Sequence, residues 1–224
     1  ILYKWAKVKH GEYPLSILYY HHVFAEHNKF HPDDICAQNF EQQITFLQKH
    51  FNILSLDKAV HLLQQKKLPP RALVISFDDG YQDNYTIAAP ILEKFNCPAT
   101  FFIASQGVEK SYLWNDEIEQ AIKNTEQTSI SSSIINTSLT LKTLSDKTNA
   151  FHTLVNNLKF LSNEQRSKKI SELLAELNVH TFTDTMMTNE QLFDLHSRGF
   201  LLGAHTHSHT ILSTENDDTV LREL

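Results

Sequence analysis

Glycine is scarce in this chain: five in 224 residues, at positions 11, 80, 107, 199 and 203. No two have the spacing of a GxGxxG turn or a Walker A loop, which excludes the glycine-rich cradles that hold nucleotide phosphates. Cysteine is scarcer still. Cys36 and Cys97 stand far apart with no CxxC, so thiolate zinc clusters and thioredoxin-type redox chemistry are excluded as well. Basic charge is in deficit, with 20 Lys plus Arg against 26 Asp plus Glu, a net −6. A broad basic surface for nucleic acid or an anionic membrane is not expected. Long apolar runs are missing: none approaches the roughly 18 residues of a spanning helix. No basic-then-apolar leader opens the chain, which starts at Ile1, and this end leaves export open.

What is present is 41% hydrophobic and 21% charged residues, the balance of a soluble globular protein. A chain of this length buries a core without disulfide or metal staples. There are also 13 histidines, three of which, His205, His207 and His209, fall within five residues.

The β-branched and aromatic run Leu15–Tyr20 predicts a strand ending in His21-His22. Phe40, Ile44 and Leu47 recur at helical spacing, and a short strand from Phe51 to Leu54 leads to a second helix carrying Ala59, Leu62 and Leu63. Ala72–Phe77 is apolar at nearly every position, as in a parallel strand covered on both faces, and it ends in Asp78-Asp79-Gly80. A helix around Ile87 to Phe95 and a strand Ala99–Ala104 complete a strand–helix–strand rhythm, which predicts βαβ units and a parallel sheet. Residues 125–140, with nine Ser or Thr among sixteen, predict a loop or loose hairpin. Two helices follow, one bearing Phe151, Leu154, Val155 and Leu158, the other opened by a Ser162/Gln165 capping box. The stretch of about 112–186 is expected as a helical insertion within a single domain. Thr188 and Gln191 form another capping box, Gly199 closes that helix, and the strand Phe200–Leu202 runs into the histidine cluster.

Asp78-Asp79-Gly80 has two readings: a favoured turn whose Asp caps the next helix, or a ligand site at the C-terminal end of a buried parallel strand, where such sheets bind their ligands. An H-x₃-H pair, His205 and His209, on a helical turn places two imidazoles on one face. Joined by one carboxylate from the same sheet edge, they leave open positions on a metal, the arrangement of a catalytic site. With no cysteine nearby, a hard or borderline divalent ion is implied. His207 is expected behind the ligands or exposed. Trp114 and Tyr112 are read either as aromatic platforms for a sugar ring or as core. Cys36 and Cys97 are expected free and buried.

Ser76-Phe77-Asp78-Asp79-Gly80 resembles the first motif of the polysaccharide deacetylases, the NodB-homology or family-four carbohydrate esterases. His205-Thr206-His207-Ser208-His209 resembles their second motif, H-[ST]-x-x-H, and Pro98–Phe102 and Gly203-Ala204 fit the flanks. The resemblance implies a distorted (β/α)7 barrel, its last strands expected beyond Leu224. It implies Asp79, His205 and His209 as ligands of one divalent ion, zinc with cobalt or nickel as alternatives, and Asp78 as the catalytic base. Tyr81 and Trp114 are the expected sugar contacts. The family's third motif and usual general acid are absent after the second motif. Leu18-Tyr19-Tyr20-His21 resembles the final L-x-H strand moved to the N-terminus, as in the poly-N-acetylglucosamine deacetylases, which makes His21 the expected general acid and His22 the fallback. The implied activity is de-N-acetylation of a polysaccharide in the periplasm or cell envelope, with a cytoplasmic place as the alternative. The other readings are an O-acetyl esterase and an inactive polysaccharide-binding module.

Overall fold

The computed structural model describes residues 13–131, 134 and 138–224. In chain order come β1 (Leu15–Tyr20), β2 (Val23–Phe24), β3 (Ile35–Cys36), α1 (Ala37–His50), β4 (Asn52–Ile53), α2 (Leu56–Gln64) and β5 (Ala72–Phe77). Then follow a π-helical turn (Asn84–Ala88), α3 (Ala89–Lys94), β6 (Thr100–Ile103), α4 (Ser105–Lys110) and α5 (Trp114–Asn124). The chain continues through β7 (Ser129–Ile130), β8 (Leu139–Thr140), α6 (Leu144–Leu158), α7 (Asn163–Leu177), α8 (Asn189–Ser197), β9 (Leu201–Ala204) and α9 (Asp217–Glu223).

All six residues of β5 are buried, which is why its sequence is apolar without alternation. On one side β1 runs parallel to it over its whole length, from Leu15↔Ala72 to Tyr20↔Phe77. β4 pairs with its start and β6 with its end, both parallel, and β9 lies beyond β6. The parallel sheet is as expected. Among the described residues it has five strands in an open order, β1-β5-β6-β9 with β4 on β5, where the resemblance implied seven in a barrel. The register brings the C-terminal ends of β1 and β5 level with each other. α1 covers one face, with Phe40 fully buried against the rings of Tyr20 and Phe77 at 5.1 and 5.9 Å. Burial of a side chain of that size contributes about 1.5–3 kcal/mol.

The helix expected around Ile87 starts earlier and contains the π turn. Pro90 is the physical reason: inside a helix its ring collides with the carbonyl four residues back, and a widened turn moves that carbonyl away.

The chain divides into two compact units. The first takes the residues up to Asn28, Asp33–Ile103 and Met187–Gly203; the second takes Lys29–Pro32, Ala104–Met186 and Ala204–Leu224. In the second, Ile118 and Ile122 of α5, Phe151, Leu154 and Leu158 of α6, and Ile170 and Leu173 of α7 form one apolar core. Each stripe repeats at three- and four-residue intervals, so one face of each helix is buried. The Ser/Thr-rich stretch contains a hairpin, β7 antiparallel to β8, with residues 132–133 and 135–137 outside the described set. The Ser162 and Thr188 capping boxes are both formed, and Gly199 stands just past α8 at φ 91°. Among the described residues no helix is long and apolar enough to cross a membrane.

Candidate metal centre

β5 stops at Phe77, and the next N–H, that of Asp78, donates to the Tyr20 carbonyl at 2.9 Å. This ties the turn to the end of β1. Asp79 and Gly80 then both take positive φ, 77° and 94°, reversing the chain within two residues. Asp tolerates that region better than most side chains. Gly80 is required twice over, because a Cβ there would also come within 3.1 Å of Ile103. The reversal leaves Asp78 half-buried and Asp79 only 3% exposed.

The histidine cluster follows β9. Gly203 lets that strand pass beside Phe102, whose ring would lie 2.6 Å from any added Cβ. Residues 205–210 form an irregular loop, and the expected helical turn is not there. Thr206 at φ 62° and His209 at φ 53° are left-handed, which breaks the helical repeat and folds the loop back on itself. The two imidazoles come together all the same, with ring centroids 5.4 Å apart. The loop's carbonyls are held from the starts of α4 and α5: Ser105 and Gln106 N–H donate to Thr206 and His207 at 3.4 and 2.9 Å, and the Trp114 indole N–H donates to His209 at 3.2 Å.

Asp79, His205 and His209 each offer one ligand atom, and the three atoms lie within 4.8 Å of one another. The donor set fits a divalent ion. It is one carboxylate and two imidazoles with no thiolate, and a carboxylate as buried as Asp79 needs compensating positive charge. Two of the three residues also hold left-handed backbone, a cost of the kind retained where side-chain direction matters.

The remaining expected residues are placed as follows. His21 is exposed and meets the Tyr19 ring edge-on at 5.6 Å, and its carbonyl accepts from Asn84 Nδ2 at 2.8 Å. His22 is the oriented imidazole: its Nδ1 meets Asp83 Oδ2 at 2.6 Å, and its ring stacks on Tyr81 at 3.7 Å. Tyr81, expected as a sugar contact, is 2% exposed and lies against the His22 ring. The Trp114 ring carries the Arg166 guanidinium at 4.7 Å while its N–H braces His209. His207 is half-buried, with Nδ1 2.9 Å from Ser105 Oγ. Cys97 is buried and its thiol is pushed up to about 11 by that burial; Cys36 is free and half-buried rather than fully buried. Asp83, Asn84 and Ser105 carry no motif in the sequence. The polar pair one helical turn after Asp79 was the available signal, but nothing local links it to His21 and His22.

A family model described as polysaccharide deacetylase matches residues 65–224. The poly-beta-1,6-N-acetyl-D-glucosamine N-deacetylase of Staphylococcus aureus (strain MSSA476) is 30% identical over 122 residues, covering 49% of this chain and 42% of that protein. YxkH of Bacillus subtilis (strain 168), named for the same family, is 30% identical over 109 residues, covering 47% and 38%. The chain thus matches less than half the length of these relatives. Among solved structures, the Streptococcus pyogenes deacetylase PplD in complex with acetate superposes with a TM-score of 0.53 at 15% identity, covering 94% of this chain and 63% of that one. That likeness is one of fold.

Proposed function

The chain belongs to the polysaccharide deacetylase family, and on that ground we propose that it removes N-acetyl groups from a polysaccharide containing N-acetylglucosamine. The observation that carries the reading is the convergence of the Asp79, His205 and His209 ligand atoms, with a second carboxylate, Asp78, next in the chain. A binding module has no use for that second carboxylate; a hydrolase does. The name of the S. aureus relative makes a β-1,6-linked polymer the first substrate to try. We read the parallel sheet as part of the (β/α)7 barrel of the family, and the cell envelope as the place of action.

Asp79, His205 and His209 would hold one divalent ion, zinc before cobalt or nickel, since a carboxylate and two imidazoles suit a borderline ion. When bound, it supplies Lewis-acid chemistry, acidifying a water and polarising an acyl oxygen. Asp78 accepts a proton at its carboxylate as water attacks the acetamide carbonyl. An amide nitrogen departs only when protonated, and His21 donates that proton from an imidazole nitrogen. Support for His21 comes from the register. It follows Tyr20 as Asp78 follows Phe77, and those two residues are a parallel pair.

Acetate release decides the matter. Zinc-loaded protein should liberate acetate from an N-acetylated β-1,6-glucosamine oligomer, and Asp78→Asn should not. Acetate from O-acetylated polymer alone would make the protein an esterase, and none from either would refute the proposal.

A further inference from the structure

Glu223 lies 14 residues past His209 on α9, and the residue is 6% exposed. Its oxygens are taken up by the histidine loop. Oε2 accepts from the backbone N–H of His207 at 3.0 Å and of Ser208 at 2.7 Å, and Oε1 accepts from Ser208 Oγ at 2.6 Å. The His207 N–H also meets the Glu223 carbonyl at 3.0 Å. Two successive N–H groups converging on one oxygen form a concavity of the kind that binds anions, and here the anion is part of the chain. The residues that bracket it, Thr206 and His209, are the two left-handed positions of the loop.

A second layer holds the carboxylate. Asn163 Nδ2 donates to Ser208 Oγ at 3.0 Å, and Asn163 Oδ1 accepts from Arg166 Nη2 at 3.4 Å. Arg166 is 1% exposed and lies on the Trp114 ring, whose N–H meets the His209 carbonyl. Burial draws the Arg166 pKa down, while Glu215 and Glu223 draw it up, so its positive charge is felt at this carboxylate. A buried carboxylate is costly unless hydrogen-bonded and near positive charge, and both conditions are met.

We propose that Glu223 is a positioning residue for the metal centre: its carboxylate fixes the Thr206–His209 backbone so that the two imidazoles stay directed at one ion. It contributes no ligand itself. The inference rests on the metal-centre reading but not on the identity of the substrate. Partners behind metal ligands typically cost about ten- to hundredfold in metal affinity when removed. Glu223→Gln keeps the shape but removes the charge and puts an amide N–H against the Ser208 hydroxyl that now donates to Oε1, and should weaken zinc by that order. Ser208→Ala removes the hydroxyl that links Glu223 to Asn163 but leaves both backbone N–H contacts to Oε2 in place, and should weaken it less.

Zinc affinity is measured on the full chain by competition with a chelating dye, alongside the cobalt absorption spectrum and the Tm of the metal-free protein. The proposal expects lower affinity and a shifted cobalt band in Glu223→Gln, with the metal-free Tm within a few degrees of the parent. Undiminished affinity and an unchanged cobalt spectrum would overturn it. If Glu223→Gln fails to fold, Ser208→Ala carries the same test, and unchanged zinc affinity there overturns the proposal equally. Failure of the unsubstituted chain to bind zinc would overturn the metal centre and this inference together. Failure to release acetate alone would touch only the proposed function.

Discussion

Asp78 and Asp79 are neighbours of the same chemistry with opposite surroundings, one half-buried and one 3% exposed, because a single left-handed residue separates their directions. Their substitutions should therefore separate as well. Asp78→Asn is expected to retain zinc and lose most turnover, about 10²–10⁴-fold, since an amide cannot accept the proton. Asp79→Asn should lose zinc itself, measured as metal content after gel filtration. Exchanged effects would reverse the assignment, and equal metal loss in both would refute it. Gly203 offers a test of packing without chemistry. Its added Cβ would sit 2.6 Å from the Phe102 ring, so Gly203→Ala should destabilise by about 1–3 kcal/mol in urea unfolding. A loss below about 0.5 kcal/mol would mean that the strand shifts freely.

At the scale of elements, much of the fold was legible. β1 and β5 declare themselves by six-residue runs of apolar and aromatic residues broken only by Ser16 and Ser76, and α8 by a Thr188/Gln191 box that the structure forms, Gln191 N–H to Thr188 Oγ1 at 3.3 Å. Thr188→Ala should cost about 1 kcal/mol, read as a lowered urea midpoint with unchanged slope. What was illegible has a common physical cause. The backbone signs that shape the histidine loop fall on Thr206 and His209, neither of which is a glycine that would announce a left-handed turn. An H-x₃-H pattern then looks helical, and its imidazoles meet by another route. The π turn hides because it shifts the apolar period by one residue inside an otherwise ordinary helix. Glu223 reaches the loop through tertiary contact alone, which no local spacing encodes. The candidate ligand set was legible because two short motifs carry its three residues.

For the molecule as a whole, a ligand that binds only the folded state adds to stability by mass action. Free zinc at about 100 times its Kd should add about 2.7 kcal/mol. In a domain of this size that is a rise in Tm of about 5–10 °C. The His205→Ala, His209→Ala double variant should show no such rise by calorimetry, and an equal rise would place the zinc elsewhere. The loop that presents these histidines draws on the same stability. Thr206 is a β-branched residue at φ 62°, and its buried Oγ1 finds no hydrogen-bond partner among the described residues. Both features raise the free energy of the folded chain. Thr206→Gly should be at least as heat-resistant as its parent. A screen that selects for heat resistance alone would thus keep changes at this position early, and would drift toward robust proteins with slackened grips on their ion. Only selection that alternates heating with a metal-dependent readout would hold the loop in the shape it has now.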